Sequence, residues 1–296
     1  MNRILSFIII VLVFASCNNL PNKNSEKNKS GIRIISLVPS VTQELVDLGM
    51  EECIVGATSY CIVSATNKSL IVGSVIDVNI EKVLLLKPDI VFASGLTKQN
   101  DINALKSNNI KVHMLEKMHS YGEICNHFIE VGKLVGKAGL AQDIVNKSKS
   151  RVDSLINTIV VRHDSLTLFF QIGAKPIFTV IPNTFMNDYI TLAGCKNIFA
   201  DLTKGTVTRE SVLQRNPDII IIATMGGMGD NEKNIWEGYS ELTAVKNNAI
   251  FIIDSKTASL PTVLTFTEAL EQVIGFVYLK VTCKYDEENS YNYYSA

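Results

Sequence analysis

From residue 31 onward, short β-branched and aliphatic runs alternate with stretches whose apolar positions recur at helical spacing, and Pro, Gly, Asn and Ser punctuate the joins. That alternation is the pattern of βα units built around parallel sheets. "RIISLV" (33–38) reads as a strand, and Pro39 opens a helix with Ser40 and Gln43 spaced as a capping box and Gly49 as its stop. "IVGAT" (54–58) is a strand, "NIEKVLLLK" (79–87) a helix capped by Asn79, and "IVFA" (90–93) a buried strand after Pro88. "IKVHML" (110–115) completes the first sheet, and Ser120 to Val135 is helical. The stretch 140–159 has helical spacing with no proline and no glycine, which gives a rod of about 30 Å. Beyond it come a strand at 166–172, helices near 184–192 and 209–215, strands at 219–224 and 250–254, and a helix from about 262 to 279. The polar tail 284–296 is expected to fray. The fold class is therefore α/β. Two doubly wound α/β lobes, 32–138 and 161–283, are joined by a rigid backbone helix over 139–160.

An internal repeat supports two lobes of one plan. "EKVLLLKPDIVFA" from Glu81 matches "ESVLQRNPDIIIIA" from Glu210 at an offset of 129 residues. A second pair, "VPSVTQELVDLG" (38–49) and "IPNTFMNDYITLAG" (181–194), shares Pro, a helix-capping residue, an amphipathic turn or two and a terminal Gly. Glu81 and Glu210 thus fall at equivalent places in the first turns of equivalent helices, where the helix dipole favours a carboxylate. Each alone reads as a first-turn charge; together they form a pseudo-symmetric acidic pair.

The N-terminus carries a different signal. Residues 1–17 place Arg3 before an apolar run from Ile4 to Phe14, followed by Ala15, Ser16 and Cys17. The run is too short for a permanent span and has the shape of a cleavable export signal. Ending in Cys, it resembles the lipobox of bacterial lipoproteins, which implies acylation of Cys17; an ordinary secretory signal is the alternative, and Phe14 departs from the usual Leu. Residues 18–31 are polar and rich in Asn, Lys and Ser, a flexible tether reaching about 20 Å. The expected localisation is the cell envelope, lipid-anchored to a bacterial membrane and facing the periplasm.

Composition removes other classes. With 28 basic against 29 acidic residues and a net charge of -1, the chain has no excess of cations to hold nucleic acid. Five cysteines follow Cys17, none in a C-x-x-C pair; they read as buried small hydrophobes, with a Cys53–Cys61 bridge open. The four histidines, His113, His119, His127 and His163, do not cluster at ligand spacing in the sequence, so no metal site is expected. "MGGMGDNE" follows a strand but has Glu232 where G-x-G-x-x-G needs its third glycine, and no G-x-S-x-G elbow or carboxylate couple stands out. The chain reads as a binding module, not an enzyme.

"RIISLVPSVTQELVDLGMEECIVGATSYC", "VGSVIDVNIEKVLLLKPDIVFASG", "GTVTRESVLQRNPDIIII" and "LTAVKNNAIFIIDSKTASLPTVLTFTEALEQV" together resemble the periplasmic binding proteins of vitamin B12, ferric-siderophore and haem ABC importers, over about residues 32–280. The resemblance implies two α/β lobes on a backbone helix, a cleft ligand, little lobe closure, and a partner permease dimer with its ATPase. It also implies that Glu81 and Glu210 dock on permease arginines. The binding protein itself is expected to be a monomer without a cofactor.

Ligands of doubly wound sheets sit beyond the carboxyl ends of the strands. The loops there supply Tyr60, Ser94 with Gly95, the turn at Lys175, Met225 in "MGGMG", and Asp254. The resemblance makes Tyr60 a stacking contact and Asp254 a polar one. Trp236, the one tryptophan, is either a lid over a flat ligand or a core plug. Val75 stands where the vitamin B12 receptor has an aromatic residue. Few arginines follow the signal segment, which suits a neutral or weakly charged macrocycle better than an anionic siderophore. A corrinoid comes first; an iron chelate, or haem with Tyr60 as axial ligand, comes second.

Overall fold

The computed structural model describes residues 31–159, 166–223 and 229–292, with side chains through Lys280. The expected signal segment with Cys17, the expected tether through Ser30, Arg162, His163 and Met225 lie outside the described residues. The first half runs β1 (Ile34–Ser36), α1 (Pro39–Asp47), β2 (Ile54–Ala57), α2 (Ile62–Thr66), α3 (Ile80–Leu85), β3 (Ile90–Ser94), α4 (Gln99–Ser107), β4 (Lys111–Leu115), α5 (Tyr121–Leu134) and α6 (Ala138–Asn157). The second runs β5 (Thr167–Ala174), β6 (Ile177–Thr179), α7 (Phe185–Leu192), β7 (Lys196–Asn197), β8 (Thr206–Val207) and α8 (Arg209–Arg215). It continues with β9 (Ile219–Ile222), α9 (Gly229–Glu237), α10 (Thr243–Lys246), β10 (Ile250–Ile252), α11 (Ser255–Ser259) and α12 (Val263–Asn292).

The first sheet has the order β2-β1-β3-β4 and every pairing is parallel. The second has the order β10-β9-β5-β6-β8, with β7 also beside β5. Here β5, β9, β10 and β7 are parallel, whereas the β5–β6 and β6–β8 pairings are antiparallel, which corrects the expectation of parallel pairing throughout. Only Lys175 and Pro176 lie between β5 and β6, which leaves no room for a crossover helix, so the chain turns straight back. The shared plan is visible in β1-β3-β4 against β5-β9-β10.

Both faces of each sheet are covered, which explains strands such as "IIII" with no polar alternation. Ile35, Val91 and Ala93 pack outward against Val83 of α3 and Leu105 of α4. Phe169, Ile220 and Ile222 pack outward against Val212 of α8 and Trp236 of α9. The opposite faces meet one continuous core: Ile34 and Phe92 enter from the first sheet, and Leu168, Phe170 and Ile221 from the second. Phe128 and Val131 of α5, Val145 and Val152 of α6, and Phe266 and Val273 of α12 fill the space between them. Each such side chain is worth about 1.5–3 kcal/mol relative to exposure. A hinge opening through this layer would forfeit that burial, so the two halves are held by a domain core.

Helix ends follow local chemistry. Gly49 (φ +69) and Gly194 (φ +74) stop α1 and α7 in the same way, with Met50 N donating to Leu45 O and Cys195 N to Ile190 O. Asn79 caps α3 by accepting from Lys82 N at 2.9 Å, as its position in the sequence implies. The capping box expected at Ser40 and Gln43 does not form. Pro39 occupies the first helical position, where no N–H is needed, so Val38 becomes the cap and Ser40 lies inside the helix, buried. The tail also departs from expectation: α12 continues as helix to Asn292.

Candidate functional site

A pocket of about 400 Å³ opens between the halves. Leu115, which ends β4, and Lys117 and Met118, which follow it, form one wall. Ile172 of β5, Phe178 of β6, Val180 and Phe185 form the other, and Pro261 ahead of α12 closes the side. The lining is predominantly apolar, with Glu116 and Lys117 as its charged members, and the size is that of a small-molecule cleft. None of the sequence-predicted contacts among the described residues lines it. The β4 end and strand β6 were missed as site elements, although the turn at Lys175 between β5 and β6 was named. The signal for the hairpin is "GAKPIFT", a Gly/Pro turn leading into an apolar-rich run.

The first sheet presents an apolar rim at its carboxyl edge. Tyr60, Ile76 and Leu96 are 75%, 62% and 64% exposed, on the loops after β2, before α3 and after β3. Those loops are tied together: Ser59 N donates to Gly73 O at 2.9 Å, and Lys98 Nζ donates to Asp77 Oδ1 at 2.8 Å. The Lys98 ammonium holds the Asp77 carboxyl below its usual range. Gly73 makes the turn possible. Its φ of +138 lies outside the region L side chains favour, and a Cβ there would sit 2.3 Å from Asp77 O. Ser94 ends β3 half-buried, and Gly95 is exposed beside it. Lys175 is exposed in the turn between β5 and β6. Asp254 is exposed and caps α11, its Oδ1 accepting from Thr257 N at 2.9 Å.

Trp236 is a core plug and not a lid, which corrects its inclusion among ligand contacts. It is fully buried, edge-on to Phe169 at 5.6 Å, with Nε1–H donating to Gln171 Oε1 at 2.7 Å. Gln171 Nε2 in turn donates to Glu232 Oε2 at 2.9 Å, and Arg209 pairs with the same oxygen at 2.8 Å while lying 4.6 Å over the indole ring. A long amphipathic side chain such as Trp is buried where its N–H finds an acceptor. A tryptophan in a polar segment gave no sign of that acceptor 65 residues away.

Glu81 and Glu210 occupy the same place in the repeated unit: each is the second residue of its helix, exposed, one step past the first helical position of α3 and α8. The Glu210 carboxyl is held below its usual range by its own backbone N–H and by the Thr208 hydroxyl. Cys53, Cys61, Cys125 and Cys195 are all free, so the Cys53–Cys61 bridge does not form.

The histidines correct the spacing argument. His113 of β4, His127 and Glu130 of α5 bring one donor atom each within 4.8 Å of one another. His113 Nδ1 lies 3.8 Å from Glu130 Oε1, and the two imidazoles stack with centroids 6.0 Å apart. Behind them His127 Nε2 meets Glu44 Oε2 of α1 at 3.3 Å. Burial pushes the Glu44 carboxyl up, opposed by His127. Strand and helix bring together residues that sequence spacing keeps fourteen positions apart.

Two α/β halves on one helical core, with an apolar pocket walled by both, define a bilobal solute-binding protein. The chain belongs to the periplasmic binding protein family, whose model matches residues 34–257. It is 28% identical over 262 residues to an uncharacterised ABC transporter substrate-binding lipoprotein of Bacillus subtilis, covering 86% of this chain and 83% of that one. It is 26% identical over 230 residues to a vitamin B12-binding protein of Yersinia pseudotuberculosis, covering 76% and 79%. A solved structure from Staphylococcus epidermidis, described as a possible iron-binding (periplasmic solute-binding) protein, superimposes with a TM-score of 0.69 at 30% identity, covering 83% of this chain and 98% of that one.

Proposed function

We propose that this protein captures a corrinoid of the cobalamin type in the pocket between its halves and delivers it to the dimeric permease of an ABC importer driven by its ATPase. In this reading it works as a monomer, held at the envelope by lipid on Cys17 and binding its cargo without catalysis or a resident cofactor. Among the described residues, no helix is long and apolar enough to cross a membrane, and a relative with the same overall layout is a lipoprotein.

The observation that carries the ligand class is the apolar pocket together with the fate of the arginines. All four described arginines are engaged within the chain. Arg33 donates to Leu86 O, Arg151 pairs with Glu271, Arg209 with Glu232 and Arg215 with Asp201. No described guanidinium is left to balance the charge of an anionic catecholate complex. A flat, weakly charged macrocycle is the better match, its edge in the 400 Å³ pocket and its face along the rim of Tyr60, Ile76 and Leu96.

An iron chelate or haem is the second reading, favoured by the 75% exposure of Tyr60, whose phenol can serve iron as an axial ligand, and by the iron-binding description of the Staphylococcus relative. Incubation of the protein with cyanocobalamin, haem and ferric siderophores, followed by desalting and visible spectroscopy, separates the two. Corrinoid absorbance retained near one equivalent is expected; retention of an iron complex alone would transfer the assignment to it.

A further inference from the structure

We propose that His113, His127 and Glu130 form a binding site for a first-row divalent cation of the zinc class, separate from the interlobe pocket. Two imidazoles and one carboxylate are a donor set that suits Zn²⁺, Co²⁺ or Ni²⁺ rather than Mg²⁺ or Ca²⁺. The three donors lie within 4.8 Å of one another. Tetrahedral bonds of about 2.0–2.1 Å bring ligand atoms to about 3.3 Å apart, so binding needs a contraction of up to about 1.5 Å. Glu130, 58% exposed, is free to supply it.

The support behind the cluster is what distinguishes it from a surface ion pair. Glu44 is fully buried and His127 is 9% exposed, and neither Glu44 oxygen makes a hydrogen bond of good geometry, though Oε2 lies 3.3 Å from His127 Nε2. A carboxylate behind an imidazole fixes the ring and its tautomer, the usual outer shell of a metal-bound histidine. With the Nε2 proton shared toward Glu44, the His127 lone pair sits on Nδ1, the atom left for a cation. In front lies a cavity of about 390 Å³ whose wall includes Glu116, Glu123 and Asn126, with room for water to complete the coordination. Residues Glu116 to Met118 wall this cavity on one side and the interlobe pocket on the other. The cation site and the ligand site therefore share a segment and no proposed ligand atom.

The full-length protein without an affinity tag, stripped by chelator, is titrated with Zn²⁺ by calorimetry and with Co²⁺ by visible absorption. One saturable equivalent is expected, with Co²⁺ bands that Zn²⁺ displaces. His113→Asn and Glu130→Gln, both at partly exposed side chains, each weaken Co²⁺ binding at least about tenfold while the unfolding midpoint without metal stays put. Glu44→Gln weakens it about 10–100-fold through the ring it orients. Glu81→Ala leaves binding unchanged. Absence of a saturable equivalent, or Co²⁺ affinity unaltered in both His113→Asn and Glu130→Gln, overturns the site. Corrinoid retention is measured on the same variants, so failure of the cation site and failure of the transport reading are distinguishable.

Discussion

Asp89 and Asp218 perform one task in the two halves. Each follows the repeated proline and opens the second parallel strand of its unit, and each carboxylate reaches across to the start of the first. Asp89 Oδ2 accepts from Arg33 N at 2.7 Å beside β1, and Asp218 Oδ2 accepts from Thr167 N at 2.9 Å and Thr167 Oγ1 at 2.8 Å at β5. The Pro-Asp-Ile repeat is therefore a strand-registration device. Truncation of Asp218 to Ala leaves two donors without their acceptor and should cost about 1–3 kcal/mol in urea unfolding. Asp89→Ala, at a more exposed site with one donor, should cost less.

The same repeat places Glu81 and Glu210, and a two-fold permease needs two equivalent acidic patches from a single chain. Charge pairs at such a rim set register and encounter rate. The Glu81→Ala, Glu210→Ala protein should lose uptake in a transport assay while its corrinoid affinity stays within about twofold. Full uptake by the double variant would refute the docking role.

Gly73 connects the rim to the backbone. Gly73→Ala must move Asp77 O, which a Cβ would meet at 2.3 Å, and must hold Ala at φ +138. A loss of about 1–3 kcal/mol in stability is expected, with weaker ligand retention because Ile76 shifts. Calorimetric melting and the desalting assay measure the two effects.

Alkaline stability follows from buried acids. Burial, aided by Asp218, pushes the Cys195 thiol up to about 12, and burial raises the phenols of Tyr121 and Tyr189. Unfolded, these groups lose their protons near pH 9 and 10. Above those values the folded state holds more protons than the unfolded one, so stability falls as pH rises, by about 1.4 kcal/mol per pH unit for each group. Urea midpoints compared at pH 8 and pH 10.5 should show the decline, and an unchanged midpoint would contradict it.

The frame was legible because its signals are local. Buried strands such as 90–93, the cap at Asn79, and the glycine stops at 49 and 194 each depend on a few adjacent residues. What escaped depends on long-range partners. β6 is three residues long and its antiparallel course is set by pairing with β5. α4 buries only Ile102 and Leu105 in a polar sequence, too few for a periodic pattern. The His113–His127 approach exists only once β4 and α5 are packed, and Trp236 reads equally as lid or plug until Gln171 is placed under its N–H. A cleft between the lobes was expected, but its lining was not legible for the same reason: the walls come from the end of β4 and from β6, which sequence patterning did not resolve.

The central claim is that a corrinoid lodges between the halves against Phe178, and it is tested most directly by titrating cyanocobalamin into the native protein and into Phe178→Asp. Phe178 is 41% exposed, so the substitution leaves the core intact. One equivalent bound by the native chain and at least tenfold weaker binding by the variant is the predicted result. No binding by the native chain, or equal binding by both, would contradict the account.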